Sequence, residues 1–198
     1  MVDALPAVFR WIPGWIESAE ATRLLETLLA EIPWEDPVLT IVGRKVALPR
    51  RVAYFGPFPY AYSGLVHPAR PLPTVVAGLR DRVEEESGEP FNTVLMNLYR
   101  SGNDSVSWHS DDDYPHGGHP AVASLSLGET RRFRIAHKRR AGERYALDLT
   151  SGALLLMTGT SQADYRHALP KSAKAHGSRI NLTFRHMAAP NCQVPALA

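Results

Sequence analysis

The stretch Arg179-Ile180-Asn181-Leu182-Thr183-Phe184-Arg185 carries polar side chains at its odd-numbered positions and apolar side chains at its even-numbered positions. A period of two is typical of a β-strand with one face buried in a core. The other face of this strand would present two arginines, an asparagine and a threonine. Arginines inside a sheet need anionic partners, because an unpaired buried charge is costly. A small dicarboxylate would satisfy both arginines; the alternative is a solvent-exposed face with ordinary salt bridges.

Six other strand-like runs, short and separated by Gly, Asp and Pro, lie between Gly88 and this stretch. They cover residues 91–99, 106–111, 121–127, 132–137, 145–149 and 153–157. Before Gly88, apolar residues at helical spacing predict helices over about 18–30 and 74–87, with Ser18 as an N-cap and Gly88 as a C-terminal stop. Helices followed by seven short strands predict an α+β protein built on a β-sandwich or barrel, and disfavour a parallel doubly wound sheet.

Composition indicates one soluble domain. The chain has 198 residues, 44% of them hydrophobic and 21% charged, which is enough for one buried core. The longest purely apolar run, 153–157, is far shorter than the ~20 residues of a membrane helix, and the start Met1-Val2-Asp3-Ala4 lacks a secretory pattern. The single cysteine, Cys192, excludes an internal disulfide framework. We therefore expect one domain over residues 1–198, monomeric and cytoplasmic, with no membrane partner.

Charge is distributed unevenly along the chain. Residues 1–98 carry 9 basic and 12 acidic side chains, whereas residues 99–198 carry 13 basic and 8 acidic ones. Within 131–144, seven basic residues stand against Glu143 alone. Such a cluster predicts a contact surface for a phosphate backbone; the alternative is a solvated hairpin tip. The formal net charge of +2 excludes a strongly polyanionic or polycationic tail protein.

The stretch Ser107-Trp108-His109-Ser110-Asp111 is the candidate metal site. If the chain is extended here, His109 and Asp111 share one face two residues apart and can occupy adjacent corners of a coordination sphere. A third ligand could come from His167, which lies further along the chain. Two histidines and one carboxylate with open positions form the facial triad of non-haem Fe(II) oxygenases. The alternative for His109 and Asp111 is a polar surface turn.

Five stretches that occur in one order between about residues 48 and 187 are informative together. They are Asn97-Leu98-Tyr99, Trp108-His109-Ser110-Asp111-Asp112, Ala123-Ser124-Leu125-Ser126-Leu127-Gly128, Gln162-Ala163-Asp164-Tyr165-Arg166-His167 and the strand 179–185. The combination resembles the AlkB family of Fe(II)/2-oxoglutarate dioxygenases, and it is most similar to the short homologues that include the second and third mammalian members. The resemblance implies a double-stranded β-helix (jelly-roll) core over about 90–187, with N-terminal helices and a nucleotide-recognition lid over about 35–70.

The resemblance also implies the roles of particular residues. His109, Asp111 and His167 would be the catalytic iron ligands, and Asn97, Tyr99, Arg179, Thr183 and Arg185 would surround 2-oxoglutarate. The substrate contacts would be Arg50, Tyr60, Tyr62, Asp112 and Val42. Tyr62 would stack on a base flipped out of the strand, an interaction of about 1–3 kcal/mol, and Asp112 would contact the damaged base. The alternative for both tyrosines is a half-buried place on a strand.

The implied function is oxidative demethylation of bases such as 1-methyladenine and 3-methylcytosine in DNA, with RNA as an alternative substrate. The cofactor would be Fe(II), with 2-oxoglutarate and O2 as co-substrates and with succinate, CO2 and formaldehyde as products. Homologues that act on duplex DNA carry a bulky aromatic residue on a finger hairpin, and in the turn Ile41-Val42-Gly43-Arg44-Lys45 the smaller Val42 takes its place. A valine replaces little of the stacking lost by a flipped base, so we expect single-stranded DNA to be favoured.

Two other functions remain open at this stage. One is a 2-oxoglutarate-dependent hydroxylase of a protein or a small molecule, against which the basic cluster in 131–144 and the tyrosines Tyr60 and Tyr62 argue. The other is a non-catalytic jelly-roll binding module, which would not need a complete triad together with two arginines on one strand.

Overall fold

The computed structural model describes residues 5–41, 44–62, 65–112 and 115–189, without the side chains of Thr40, Ile41 and Tyr62. The helices are α1 (Ser18–Glu31), α2 (Thr74–Ser87) and α3 (Ser161–Asp164). The strands are β1 (Phe9–Ile12), β2 (Val38–Ile41), β3 (Arg44–Ala47), β4 (Arg51–Phe55), β5 (Tyr60–Tyr62), β6 (Leu65–His67), β7 (Thr93–Tyr99), β8 (Val106–His109), β9 (Val122–Gly128), β10 (Arg131–His137), β11 (Arg144–Leu149), β12 (Ala153–Met157), β13 (Tyr165–Leu169) and β14 (Arg179–Arg185).

Two antiparallel sheets form the body of the protein. The major sheet has the order β1-β12-β9-β14-β7-β4, and the minor sheet has the order β11-β10-β13-β8. One hydrophobic cluster joins the major sheet to α1 and α2, and it includes Leu28, Val76 and Leu182. A second cluster, with Ile135 and Leu155, fills the space between the sheets. This arrangement confirms the predicted α+β class and its jelly-roll core.

Both long helices lie where apolar spacing predicts them. Helix α2 ends at Gly88, whose φ of 71° and left-handed conformation explain why glycine follows the helix. Helix α1 differs from the prediction at its start, because Ser18 is the first helical residue and Glu17 is the N-cap, without a side-chain capping bond. Within the described residues, no helix is long and apolar enough to cross a membrane.

Strand β14 is central in the major sheet, between β7 and β9. Its apolar residues, with Phe184 among them, pack into the cluster beneath the helices. All seven of its residues are buried, so its polar face is not exposed to solvent as the alternative interpretation required. The register places Asn97 of β7 and Ser126 of β9 on either side of Asn181. Three strands therefore contribute polar side chains to the same interior surface.

Several strands lie outside the predicted runs. Strand β13 joins β10 to β8, and β1 and β4 form the two edges of the major sheet. Since β1 and β4 precede residue 90, the core draws on more of the chain than the segment of about 90–187. The segment of about 35–70 contains two separate hairpins, β2–β3 and β5–β6, with β4 between them.

Candidate active site

Three predicted metal ligands come together between the sheets. His109 ends β8, Asp111 follows it in a bend, and His167 lies in β13 directly opposite His109 in the register. One ligand atom from each residue lies within 4.8 Å of the others. The predicted strand 106–111 ends at His109 in the structure, so the turn after β8, rather than strand alternation, brings Asp111 to the site.

The imidazole of His109 is prepared to bind a metal. Its Nδ1 lies 2.8 Å from the carbonyl oxygen of Ser107, and because a carbonyl only accepts hydrogen bonds, Nδ1 must carry the proton. The lone pair of the neutral ring is then on Nε2, which is a common metal-binding arrangement. Burial, followed by the nearby ring of His167, lowers the pKa of His109 to about 4. His109 is therefore neutral at physiological pH.

Asp111 is buried and is held by two side chains, Arg185 and His167. Its Oδ1 accepts a hydrogen bond from the guanidinium of Arg185, and its Oδ2 lies 3.4 Å from Nε2 of His167. Burial alone would raise the pKa of Asp111, but Arg185 and His167 lower it well below its ordinary value. The backbone N–H of Asp111 also donates to Oε1 of Gln162 at 2.9 Å. Asp111 is thus a fixed carboxylate and a suitable ligand for a hard cation.

Arg179 is a buried cation that has no acidic partner among the described residues. It is 2% exposed, and its Nη2 donates to Ser126 at 2.8 Å and to Asn181 at 2.7 Å. Its Nε has no hydrogen-bond partner among the described residues, and burial lowers its pKa to about 10. A guanidinium in this state needs an anion. Arg179 therefore indicates a binding site for a carboxylate or similar group.

Other polar residues line the same cavity. Nε of Arg50 donates to Oδ1 of Asn97 at 2.8 Å, and Nδ2 of Asn181 donates to Oγ1 of Thr183 at 2.8 Å. The ring of Tyr99 lies 5.2 Å from the guanidinium carbon of Arg179. The cavity is lined by all three candidate ligands and by all five predicted co-substrate residues: His109, Asp111, His167, Asn97, Tyr99, Arg179, Thr183 and Arg185.

Comparison with known proteins assigns the family. Residues 8–185 match the 2OG-Fe(II) oxygenase superfamily. The mouse protein named DNA oxidative demethylase ALKBH2 is 34% identical over 179 residues, which cover 84% of this chain and 75% of that protein. The chain belongs to the AlkB family of this superfamily. This result confirms the resemblance to the AlkB family that the sequence indicated. Members of the superfamily use Fe(II), 2-oxoglutarate and O2.

Other AlkB relatives match at similar levels. Human alpha-ketoglutarate-dependent dioxygenase alkB homolog 3 is 38% identical over 182 residues, which cover 87% of this chain and 64% of the human protein. The chain therefore spans less than two thirds of the length of that relative. The solved structure of OsALKBH1 has a TM-score of 0.70 and 16% identity, and the match covers 94% of this chain and 100% of that one. The likeness to OsALKBH1 supports the fold.

The AlkB cofactor and co-substrate fit the residues present. Two imidazoles and one carboxylate match the donor set of a facial Fe(II) site, which leaves positions open for other ligands. The buried, acid-free guanidinium of Arg179 fits one end of a dicarboxylate such as 2-oxoglutarate. The sequence predicted that one dicarboxylate would satisfy both Arg179 and Arg185. The structure contradicts this for Arg185, because Asp111 is already its partner.

The predicted substrate contacts are only partly described. Tyr60 and Arg50 line the cavity, and both are buried. Asp112 is exposed, and its Oδ2 lies 3.1 Å from Nζ of Lys138. The backbone of Tyr62 belongs to β5, but its side chain, like the whole of Val42, lies outside the described residues. Strands β2 and β3 form the antiparallel hairpin expected for the finger.

The basic cluster in 131–144 is not uniformly a phosphate-binding surface. Arg131 is 2% exposed and donates to the backbone carbonyls of Ser101, Asp104 and Pro170, so its role is structural and its assignment to the patch was wrong. Four others pair with acidic residues: Arg132 with Asp148, Lys138 with Asp112, Arg139 with Asp164 and Arg140 with Glu143. Ion pairing therefore reduces the local charge that the sequence suggests.

Several residues that shape the site were not among the sequence candidates. Ser124 and Ser126 donate or accept hydrogen bonds beside Asn181 and Arg179, and Gln162 holds the backbone of Asp111. The serines stand two residues apart on β9, so the alternation of polar and apolar residues in 121–127 could have identified them. Gln162 is 51 residues from Asp111, and no local pattern indicates the contact.

Proposed function

We propose that this protein is an Fe(II)- and 2-oxoglutarate-dependent dioxygenase that demethylates alkylated bases, such as 1-methyladenine and 3-methylcytosine, in nucleic acid. The main support is that one cavity is lined by the triad His109, Asp111 and His167 and also by Arg179, a buried cation without an acidic partner among the described residues. The names of the relatives, alpha-ketoglutarate-dependent dioxygenase and DNA oxidative demethylase, support the reaction and the class of substrate.

Two of the metal ligands, His109 and Asp111, would contribute differently to the site. The neutral imidazole of His109 offers Nε2, and the hydrogen bond from its Nδ1 to Ser107 fixes the orientation of the ring. Asp111 supplies the negative charge, and Arg185 and Gln162 hold it in place. Bound Fe(II), with 2-oxoglutarate and O2, supplies the oxidation of the alkyl carbon, with succinate, CO2 and formaldehyde as products.

The two arginines of β14 would have different roles. Arg179, deep in the cavity, would receive one carboxylate of 2-oxoglutarate and so lose its unpaired state. Arg185 stays paired with Asp111 and fixes the metal end of the site. Asn97 and Tyr99 face β14 across the register, at Asn181 and Arg179, and close the cavity from β7.

The substrate side of the site lies near Tyr60, Tyr62 and Asp112. A base that enters the cavity would need an aromatic surface for stacking and a polar group for its exocyclic atoms. Asp112, exposed and adjacent to a metal ligand, supplies a carboxylate for this purpose. Preference for single strands follows from Val42 in the finger turn, because a small side chain replaces little of the lost stacking. A monomeric state and a cytoplasmic location stay predictions from the sequence.

A direct test uses methylated and unmethylated oligonucleotides of the same sequence with Fe(II), 2-oxoglutarate and O2. Mass spectrometry of the digested strands should show loss of 3-methylcytosine and gain of cytosine with the unmodified protein. The His167→Ala variant should leave the lesion intact and serves as the matched control. Turnover of 2-oxoglutarate that is equal with both oligonucleotides, with no loss of the methyl group, would contradict the proposed substrate.

A further inference from the structure

The outer face of the minor sheet carries an unusual set of side chains. Because residues alternate along a strand, this face is opposite the one that lines the cavity. It presents arginines from three neighbouring strands, together with a single acidic residue, Asp148. These arginines, named here the outer arginine face, are Arg132, Arg134, Arg144 and Arg166.

The register places these cations close together. Ala136 of β10 pairs with Arg144 on one side and with Arg166 on the other, so the two arginines are two strands apart. With ~4.8 Å between strands, their backbones are about 10 Å apart. Arg134 lies two residues from Ala136 on β10, the strand between those of Arg144 and Arg166. Ala136 and Ala168 on this face are only 4% and 5% exposed, which indicates that the arginine stems cover them.

The charges on this face are mostly uncompensated. Arg132 pairs with Asp148 at 2.9 Å. By contrast, Arg134, Arg144 and Arg166 are exposed and form no ion pair with any residue in the described ranges. The face therefore carries a surplus of three positive charges. Exposed guanidinium groups on a rigid sheet are well suited to phosphate oxygens, which they bind in a bidentate fork.

An aromatic residue lies at the edge of the same face. Val106 and His109 of β8 both face the cavity, and they pair with Leu169 and His167 of β13. Two residues separate the pair on β8, whereas only one residue separates the pair on β13. This β-bulge turns Trp108 outward. Trp108 is 41% exposed, and the guanidinium carbon of Arg166 lies 5.3 Å from its ring. A tryptophan beside cations is the usual composition of a surface that binds single-stranded nucleic acid.

The outer arginine face and Trp108 lie close to the active site. Trp108 and Arg166 are the chain neighbours of the ligands His109 and His167, on the other side of the same two strands. Strand β8 is the edge of the minor sheet in the described part of the chain. A nucleic-acid strand with one base in the cavity therefore has a short path around this edge to the outer face.

We propose that the outer arginine face and Trp108 bind the backbone and one base of the nucleic-acid strand that flanks the damaged base. This inference rests on the proposed function, since it extends the same substrate beyond the cavity. It makes the length of the strand important: a methylated trinucleotide reaches only the cavity, whereas a methylated 15-mer also reaches the outer face.

The test compares the two substrates in a triple variant, Arg134→Gln, Arg144→Gln and Arg166→Gln. The control, Arg10→Gln, Arg23→Gln and Arg82→Gln, removes the same charge from the side of the major sheet. Arg10 lies in β1, an edge strand of that sheet, and Arg23 and Arg82 lie in α1 and α2, which pack on it. We expect the triple variant to raise the Kd for the 15-mer about tenfold. The slope of log K for the 15-mer against log salt concentration should become less steep by about 2, since each lost phosphate contact on a single strand contributes ~0.7 to that slope. The kcat/KM for the trinucleotide should stay unchanged.

Trp108→Ala tests the stacking part separately. It should weaken binding of the 15-mer several-fold and leave the salt slope unchanged, because stacking releases no counterions. If the triple variant and the control bind the 15-mer equally well while the trinucleotide is demethylated, the outer face is wrong and the proposed function stands. If the unmodified protein demethylates neither substrate, the proposed function itself fails, and with it the basis of this inference.

Discussion

Arg179 and Arg185 lie on the same face of β14, but the structure predicts that replacing them has opposite effects on stability. Arg179 is buried without an acidic partner among the described residues, whereas Arg185 is paired with Asp111. We therefore expect Arg179→Met to stabilise the protein in the absence of 2-oxoglutarate. Arg185→Met should destabilise it, because Asp111 would stay buried without its main cation.

The magnitude for Arg179 follows from its pKa. Burial lowers the pKa from 12.5 to about 10, and a tenfold change in an equilibrium constant is about 1.4 kcal/mol, so keeping the side chain charged costs about 3 kcal/mol. Because the folded-state pKa is the lower one, this cost is fully present at pH 7 and disappears only above the unfolded pKa. Methionine removes the cost but loses the hydrogen bonds to Ser126 and Asn181, worth about 1 kcal/mol each.

The net expectation is a gain of about 1 kcal/mol in the free energy of unfolding. For a chain of this size, that is a rise of about 2–4 °C in Tm. Loss of one partner of a buried pair costs about 3–5 kcal/mol, so Arg185→Met should lower Tm clearly. The assay is thermal unfolding of the unmodified protein and both variants, with and without 2-oxoglutarate and a divalent metal.

The measurements with 2-oxoglutarate distinguish the effect of Arg179 on ligand binding from its effect on stability. At a hundredfold excess over Kd, 2-oxoglutarate should stabilise the unmodified protein by about 2.7 kcal/mol, and it should leave the Tm of Arg179→Met unchanged. Two results would refute the reasoning. One is a fall in the Tm of Arg179→Met as large as that of Arg185→Met, and the other is an undiminished effect of 2-oxoglutarate on Arg179→Met.

Three other predictions concern the metal, the acid beside it and the finger. His167→Ala should abolish binding of Mn(II), measured by titration calorimetry, and keep the β-sheet circular dichroism spectrum; retained binding would contradict the ligand assignment. Lys138→Met should raise the ratio of kcat/KM for cationic 3-methylcytosine over a neutral etheno adduct several-fold, because Asp112 loses a competing cation, with Lys174→Met as the control; an unchanged ratio would show that Asp112 acts independently of Lys138. The unmodified protein should repair single strands faster than duplex, and Val42→Phe should raise the duplex rate selectively; equal rates on both forms in the unmodified protein would contradict the finger argument.

Local sequence patterns account for most of the framework. The alternation in 179–185 identifies β14 because one of its faces packs under the helices and the other lines a cavity, and both environments select residue types. Gly88 marks the end of α2 because its positive φ is a local requirement of the chain. The triad is visible because His109 and Asp111 are close in the chain and because His167 completes a known donor set.

Contacts between residues that are far apart in the chain could not be predicted from local sequence patterns. Strand β13 is five residues long, and its place between β10 and β8 depends on pairing that no local pattern encodes. The partner of Arg185 is Asp111, 74 residues away, so the sequence alone assigned both arginines to the dicarboxylate. Arg131 looks like part of a basic patch in the sequence, but in the fold its guanidinium donates hydrogen bonds to three backbone carbonyl groups.

In the proposed function, oxidation of 2-oxoglutarate in this cavity is coupled to repair of a methylated base. The most direct measurement is the stoichiometry of succinate, formaldehyde and cytosine formed from a single-stranded oligonucleotide with one 3-methylcytosine. We predict one of each per turnover, with little succinate formed on the unmethylated strand. Succinate formed at the same rate on both strands, without formaldehyde or cytosine, would contradict it.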